Sequence, residues 1–250
     1  MSPSKKIILE VCIDSVASAI NAQAGGASRV ELCDNLAEGG TTPSAGMIKM
    51  VRDRLSIDMQ VIIRPRVGDF LYTQEEFDVM KEDIKIAKSL GANGVVIGCL
   101  LPDGSIDMIR TQELVTLARP MNVTFHRAFD MVADAAQALE DLIRLGVERV
   151  LTSGLENDVV SGSTTLTRLI LQAGDRIIVM PGGGVRLENA KTLIATTKAK
   201  EIHVSGRHTL VSQMTFQNPK VKMGILPDKE YQIQVVDQKL IQRFIQLLNP

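Results

Sequence analysis

The strongest constraint on the fold of this 250-residue chain is an eightfold alternation of short apolar runs and amphipathic segments. Each apolar run has the length of a buried strand, and the segments after them have the spacing of helices with one buried face. Three joints from a helix to the next strand share one signature, Gly26-Ala27, Gly91-Ala92 and Gly146-Val147, which indicates repetition of one βα unit. The predicted strands lie at about 6–13, 28–33, 59–64, 94–98, 121–126, 148–152, 176–180 and 200–205.

Eight βα units predict a parallel sheet with crossover helices, and eight strands close naturally into a (β/α)8 barrel. The alternative is an open, doubly wound sheet, which normally carries a G-x-G-x-x-G loop after its first strand. The first turn of this chain, Asp14-Ser15, has no glycine. We therefore expect an α/β protein with a compact, single-domain TIM barrel over residues 1–206. Residues 207–250 do not follow the eightfold pattern, and we expect a C-terminal extension packed on the barrel or at an oligomer interface.

Composition argues against several classes of partner. A net charge of −1 and an aromatic content of 3% give no basic or base-stacking surface, so we expect no nucleic acid. The longest apolar run is well short of the roughly 20 residues that span a bilayer, so we expect no membrane. Glu10 interrupts the first apolar run too early for a secretory signal, and the three cysteines are an odd number. These features predict a cytoplasmic protein with reduced thiols.

Two triplets repeat 21 positions apart, Glu10-Val11-Cys12 and Glu31-Leu32-Cys33, each at the end of an apolar run. Side chains two residues apart in a strand share a face, so each triplet places a carboxylate and a thiol on one side. Val11 and Leu32 would then face the helices. If the two strands are neighbours, four reactive groups meet, and either a soft metal or a polar active site could use them.

Further polar side chains end other predicted strands, and active sites of (β/α)8 barrels lie at that end. Arg64 ends the third strand and His126 ends the fifth. If the protein is an enzyme, we expect Glu10, Glu31, Arg64 and His126 to form its catalytic site. The alternative is that Glu10, Glu31 and Arg64 form an internal ion-pair network that only fills the barrel.

A run of three glycines, Gly182, Gly183 and Gly184, follows the seventh strand, where barrels often bind phosphate through backbone N–H groups. Ser205 follows the eighth strand, and Arg66 and Arg207 lie in loops at the same end of the barrel. Guanidinium groups suit carboxylate or phosphate ligands, so these six residues are predicted to bind an anion. A tight turn that needs positive φ would explain the glycines alone.

Eight motifs run in barrel order from about residue 7 to 207. They are Leu9-Glu10-Val11-Cys12, Arg29-Val30-Glu31-Leu32-Cys33, Glu38-Gly39-Gly40-Thr41-Thr42-Pro43-Ser44, Ile63-Arg64-Pro65-Arg66 with Gly68-Asp69-Phe70, Thr124-Phe125-His126-Arg127-Ala128-Phe129-Asp130, Val150-Leu151-Thr152-Ser153-Gly154, Met180-Pro181-Gly182-Gly183-Gly184 and His203-Val204-Ser205-Gly206-Arg207. This set resembles the copper homeostasis protein CutC family.

The resemblance implies a cytoplasmic TIM barrel that acts in copper homeostasis and forms a homo-oligomer, a dimer or a tetramer. In animal-type members the two strand-end cysteines are proposed as Cu(I) ligands, which here are Cys12 and Cys33. No organic cofactor is expected. Two functions remain open on the residues themselves. One is Cu(I) binding through two thiolates, and the other is an enzyme of unknown reaction on a small phosphate- or carboxylate-bearing metabolite.

Overall fold

The computed structural model describes residues 6–223 and 229–249. Residues 1–5 of the predicted barrel and residues 224–228 and 250 of the predicted C-terminal extension lie outside the described residues. Eight parallel strands alternate with helices: β1 Ile8–Ile13, α1 Val16–Ala24, β2 Arg29–Leu32, α2 Ala45–Arg52, β3 Asp58–Ile62, α3 Gln74–Ser89, β4 Gly94–Ile97, α4 Met108–Ala118, β5 Asn122–Phe125, α5 Ala135–Arg144, β6 Arg149–Thr152, α6 Ser163–Ala173, β7 Ile178–Pro181, α7 Leu187–Thr197 and β8 Glu201–Val204.

The strands form one sheet in the order β7-β6-β5-β4-β3-β2-β1-β8, in which hydrogen-bonded neighbours are parallel. Its two ends, β7 and β8, lie side by side and bring the sheet round to a nearly closed barrel. A Cβ atom added to Gly182, directly after β7, would lie 3.0 Å from the Cβ of His203 on β8. The predicted α/β fold, a TIM barrel, is therefore confirmed.

The two faces of the strands separate as the alternation predicts. Val11 and Leu32 are buried in the large core between the strands and the helices. Cys12, Cys33, Ile62 and Val96 form a separate cluster inside the barrel. Side chains of parallel barrel strands point alternately outward and inward, so the thiols and the helix-facing core lie on opposite sides of the same strands.

The middle of the barrel is filled by an ion-pair network. Arg29 bonds to both Glu10 and Glu201, and Arg149 bonds to Glu201 with its Nε atom 2.6 Å from the carboxylate. Thr124 accepts a further hydrogen bond from Arg149. All five side chains are buried, and buried charges are tolerated when they are paired in this way. The network forms a polar floor beneath the carboxyl end of the barrel.

After β8 the chain forms an antiparallel hairpin of β9 Arg207–Val211 and β10 Gln232–Val236, and then helix α8 Gln238–Leu248. Asp237 begins this helix by accepting hydrogen bonds from two N–H groups of its first turn. Helix α8 packs against α1 and α7, the position of the eighth barrel helix. Helix α8, which belongs to the predicted C-terminal extension, thus lies in the outer ring of helices.

Close packing fixes α8 to the start of the chain. A Cβ atom at Gly25, which ends α1, would lie 2.6 Å from the Cβ of Ile241. The side chain of Asn249 also accepts a hydrogen bond from the Ile7 N–H group and donates one to its carbonyl oxygen. Within residues 6–223 and 229–249, no helix has both the length and the apolar character needed to cross a bilayer.

Candidate functional site

A cavity of about 520 Å³ opens at the carboxyl end of the barrel, above the polar floor. Residues from most strand ends contribute to its wall, as the topology of a (β/α)8 barrel dictates. The lining includes Cys12, Glu31, Cys33, Glu38, Ile62, Arg64, Phe70, His126, Arg127, Gly183, Gly184, Arg186, His203, Ser205 and Arg207. Its volume is within the range of about 300–1,000 Å³ that small-molecule sites occupy.

Cys12 and Cys33 lie side by side in this wall with their Sγ atoms 3.8 Å apart. The two cysteines are not opposite each other in the sheet: Cys12 pairs with Glu31, and Cys33 is two residues further along the chain, directly after β2. Both thiols are buried, with exposed fractions of 8% and 2%. Gly40, at φ +90°, closes over Cys33, since an added Cβ atom would lie 3.4 Å from the sulfur. Only glycine combines that backbone conformation with so close an approach.

The carboxylate of Glu31 completes a cluster of three potential metal ligands. One ligand atom each from Cys12, Glu31 and Cys33 lies within 4.8 Å of the others. A hydrogen bond from the Cys33 thiol, assisted by His203 and opposed by burial, lowers the pKa of Cys12 to about 5. The same bond to Cys12, together with burial, raises the pKa of Cys33 well above its usual value. At neutral pH the pair therefore holds one thiolate and one thiol.

Glu31 and His203, next to the two thiols, both have raised pKa values. Burial and the neighbouring Cys12 thiolate raise the pKa of Glu31 to about 8, so its carboxyl group is largely protonated at neutral pH. Burial lowers the pKa of His203, but hydrogen bonds to Cys12 and Glu10 outweigh it and raise the pKa well above its usual value. The His203 Nδ1 atom lies 2.8 Å from a Glu10 oxygen. His203 is thus an imidazolium ion that connects the polar floor to the thiol pair.

Arg64, Phe70 and His126 form the opposite wall. The Arg64 guanidinium donates to the carbonyl oxygens of Glu38, Gly40 and Gly68 at 2.8–2.9 Å. The Phe70 ring lies between the other two side chains, 5.1 Å from Arg64 Cζ and 5.0 Å from the His126 ring. Burial and the Arg64 charge lower the pKa of His126 to about 3, so the imidazole is neutral. This wall therefore presents one cation and one neutral hydrogen-bond donor.

The loops after β7 and β8 form the mouth of the cavity. Gly183 adopts φ +102° and lies against the guanidinium of Arg127, which is held by Asp130 and Ser153. Arg207 lies with its Nη1 atom 3.7 Å from the Asp14 carboxylate. The arrangement leaves cationic groups and loop backbone at the entrance, a setting suited to an approaching anion.

The structure brings most of the predicted site residues together, but not all. Cys12, Cys33, Glu31, Arg64, His126, Gly183, Gly184, Ser205 and Arg207 all line the cavity. Glu10 lies below it, bonded to Arg29 and His203. Arg66 is held outside it by Glu76 and Asp69, and Gly182 packs against Leu151 and His203.

The predicted alternative of an ion-pair network among Glu10, Glu31 and Arg64 is wrong in its membership. A network exists, but Glu10 shares it with Arg29, Arg149 and Glu201. Glu31 and Arg64 lie in the cavity wall instead. The three members that the sequence analysis did not name, Arg29, Arg149 and Glu201, are the first residues of β2, β6 and β8. They lie two positions before Glu31, Leu151 and His203. The period of two that identified the strand ends also points these residues inward, so the signal was present in the sequence.

Comparisons with known proteins agree with this architecture. The model of the CutC family matches residues 7–208. A human protein named copper homeostasis protein cutC homolog is 50% identical over 231 residues, which are 92% of this chain and 85% of the relative. A CutC family protein of Chromobacterium violaceum is 51% identical over 224 residues, 90% of this chain and 91% of the relative.

Solved structures with the same barrel fold include a member of this family. The crystal structure of a copper homeostasis protein CutC from Streptococcus agalactiae has a TM-score of 0.76 and 35% identity, covering 79% of this chain and 97% of that one. Thiamine phosphate pyrophosphorylase of Pyrococcus furiosus has a TM-score of 0.60 at 14% identity over 98% of this chain and 96% of its own. The second likeness concerns the fold alone.

Proposed function

The chain belongs to the CutC family of copper homeostasis proteins, and on that premise we propose that it binds Cu(I) in the cytoplasm through the thiolates of Cys12 and Cys33. The observation that carries the proposal is the 3.8 Å separation of the two Sγ atoms in the wall of an open cavity. Copper in its +1 state prefers soft sulfur ligands and accepts low coordination numbers.

The geometry supports a bent, bridging ion. Two metal–sulfur bonds of about 2.3 Å, the length of a zinc–thiolate bond, span 3.8 Å at a bent angle. Cys12 is already a thiolate, and Cys33 releases its proton when the metal binds. Because the two sulfurs bind the ion at a bent angle, one side of the ion stays open. The Glu31 carboxylate is the nearest further donor on that side.

The surroundings favour Cu(I) over Zn²⁺. A structural zinc site needs four ligands, and a catalytic one uses three protein ligands with an open position. The only histidine in the wall near the thiols among the described residues is His203, which is protonated and bonded to Glu10. An imidazolium cannot coordinate a metal. The Glu31 carboxyl group is largely protonated at neutral pH, so two soft thiolates are the donors that remain, and this set suits Cu(I) better than Zn²⁺.

The test is an anaerobic titration of the reduced protein with Cu(I) against a chromogenic chelator. We expect tight binding of one equivalent, which is lost when Cys12→Ser and Cys33→Ser are combined. Cys99→Ser is the matched control, because Cys99 is an equally buried thiol outside the cavity lining. If the double variant binds copper with unchanged stoichiometry, the ligand assignment is wrong.

The proposal includes a homo-oligomer, a dimer or a tetramer. In its support, the segment from the last residue of β9 to Met223 exposes large apolar side chains, with Val211, Phe216 and Met223 each more than two-thirds exposed. Exposed apolar side chains gathered in one segment are typical of a contact surface. Sedimentation velocity at several protein concentrations tests the expected assembly.

A second candidate function is an enzyme that acts on a small anionic metabolite. The cavity favours it, since 520 Å³ far exceeds the space of one ion and its wall contains groups with shifted pKa values. Glu31 and His203 would exchange protons with the ligand, while arginines hold it. This function predicts turnover that is lost in Glu31→Gln without an equal loss of Cu(I) affinity.

A further inference from the structure

Arg64 is a buried cation with no carboxylate partner among residues 6–223 and 229–249. Its side chain is 6% exposed, and its guanidinium bonds only to three carbonyl oxygens. The nearby Tyr72 hydroxyl gives no compensating charge, because burial raises the pKa of that phenol. A buried charge is costly unless an opposite charge approaches it. The Arg64 wall of the cavity therefore attracts an anion.

His126 lies in the same wall. One of its ring nitrogens forms a hydrogen bond, and the other has no partner among the described residues. Its Nδ1 atom accepts a hydrogen bond from the Ala128 N–H group at 3.1 Å. A neutral imidazole that accepts at Nδ1 carries its proton on Nε2, and this Nε2 atom has no partner in the described structure. The ring is 4% exposed, so an unused donor here costs stability unless a ligand accepts its proton.

The balance of charge in the cavity is positive on this side. Four arginines and the two acids Glu31 and Glu38 line the cavity. Arg127 is paired with Asp130 and Arg207 lies near Asp14, which leaves Arg64 and Arg186 without a carboxylate partner among the described residues. The N–H groups of Gly183 and Gly184, at the mouth, have no acceptor among the described residues. One anionic group at Arg64 and His126 would leave room for the rest of a small molecule to extend toward this loop.

We propose that the cavity binds a small organic oxyanion, with its carboxylate or phosphate group held between the Arg64 guanidinium and the Nε2–H group of His126. The site lies directly beside the thiol pair, because Arg64 donates to the Gly40 carbonyl and Gly40 packs on the Cys33 sulfur. The proposal rests on the second candidate function only in that an anionic metabolite enters this cavity. It depends neither on turnover nor on copper.

The test is isothermal titration of the reduced, metal-free protein with two probes, inorganic phosphate and succinate. We expect one of them to bind with a Kd of about 1 mM or tighter, and the preference identifies the anion as phosphate or carboxylate. Arg64→Gln and His126→Leu should each weaken that binding about tenfold or more. His126→Gln keeps a side-chain N–H donor and should recover part of the loss.

Arg66→Gln is the matched control, since Arg66 lies two residues from Arg64 but outside the cavity. Circular dichroism of each variant shows that it is folded, and His126→Leu replaces a buried side chain by one of similar size. Binding that is equal in all variants, or absent for both probes, overturns the proposal. Binding that is weakened only by Arg207→Gln also overturns it and places the anion at the mouth. Neither turnover nor Cu(I) enters this titration, so it tests the anion site separately from the enzyme function and from the copper site.

Discussion

The Sγ atoms of Cys12 and Cys33 approach to 3.8 Å although the two residues are not opposite each other in the sheet. Cys12 pairs with Glu31, so these two potential ligands lie at the same level of the sheet, and Cys33 follows two residues after Glu31, directly beyond the end of β2. The separation is nearly twice the 2.05 Å of a disulfide bond, and the two cysteines are free. At this distance the sulfurs are nearly in van der Waals contact, so an ion that binds both lies to one side of the line between them.

The three ligands should contribute unequally to copper affinity. Cys12→Ser and Cys33→Ser each remove a soft donor, and we expect each to weaken Cu(I) binding far more than Glu31→Gln does. X-ray absorption spectroscopy of the copper-loaded protein should report two sulfur neighbours, with one in either single variant. Equal losses for all three substitutions would mean that the carboxylate is a full ligand.

Cys12 should react as a thiolate at unusually low pH. Its pKa is lowered to about 5, so the thiolate exists between pH 5 and 9, where an ordinary cysteine is still protonated. We expect the rate of iodoacetamide alkylation at Cys12 in the metal-free protein to fall only below about pH 6. Peptide mapping by mass spectrometry separates it from Cys33 and Cys99, whose pKa values are raised.

His203→Gln supplies the control for that profile, because it replaces the imidazolium that helps to stabilise the Cys12 thiolate. The fall in alkylation rate should then move to higher pH. A wild-type rate that rises about tenfold per pH unit up to pH 8 would contradict a lowered pKa.

Breaking the polar floor should destabilise the barrel strongly. Glu201→Gln removes the carboxylate that both Arg29 and Arg149 contact and leaves buried positive charge uncompensated. We expect a loss of about 3–5 kcal/mol in the free energy of unfolding, measured by urea denaturation. Arg176→Gln breaks a solvent-exposed ion pair with Glu140 and should cost far less. Similar losses in the two variants would contradict the importance of the network.

The contact between α1 and α8 should depend on the lack of a side chain at Gly25. Gly25→Ala would place a Cβ atom 2.6 Å from Ile241, and overpacking of this kind costs about 1–3 kcal/mol. We expect a lower unfolding midpoint and faster proteolysis near α8. Gly46→Ala, on helix α2 with no atom closer than 3.9 Å, should be neutral or slightly stabilising. Unchanged proteolysis in Gly25→Ala would show that α8 tolerates displacement.

Local sequence patterns predicted most of the barrel and the inward position of the two cysteines of the site. The alternation of apolar residues placed Val11 and Leu32 toward the helices and Cys12 and Cys33 inward, as the structure has them. The motifs identified the family, which the family match and the relatives confirm. These features depend on strand period and strand order, both of which are encoded over short stretches of sequence.

What the sequence did not reveal depends on long-range geometry. Arg64 and Arg66 are two residues apart, yet Arg66 lies outside the cavity because the chain leaves the strand and Glu76 and Asp69 hold its side chain. Helix α8 was separated from the barrel because a polar, irregular segment precedes it in the chain. Only its packing against α1 and α7 shows that it belongs to the ring.

The hydrogen bonds between Asn249 and Ile7 have a consequence for the way the protein is made. They join the residue after α8 to the residue before β1, and α8 can take its place only when residues 238–248 have been synthesised. Nascent chains fold from the N-terminus, and contacts between distant residues form late. Cys12 and Cys33 thus leave the ribosome long before β8 and α8 can enclose them, and are open to metals and oxidants until those two elements have formed.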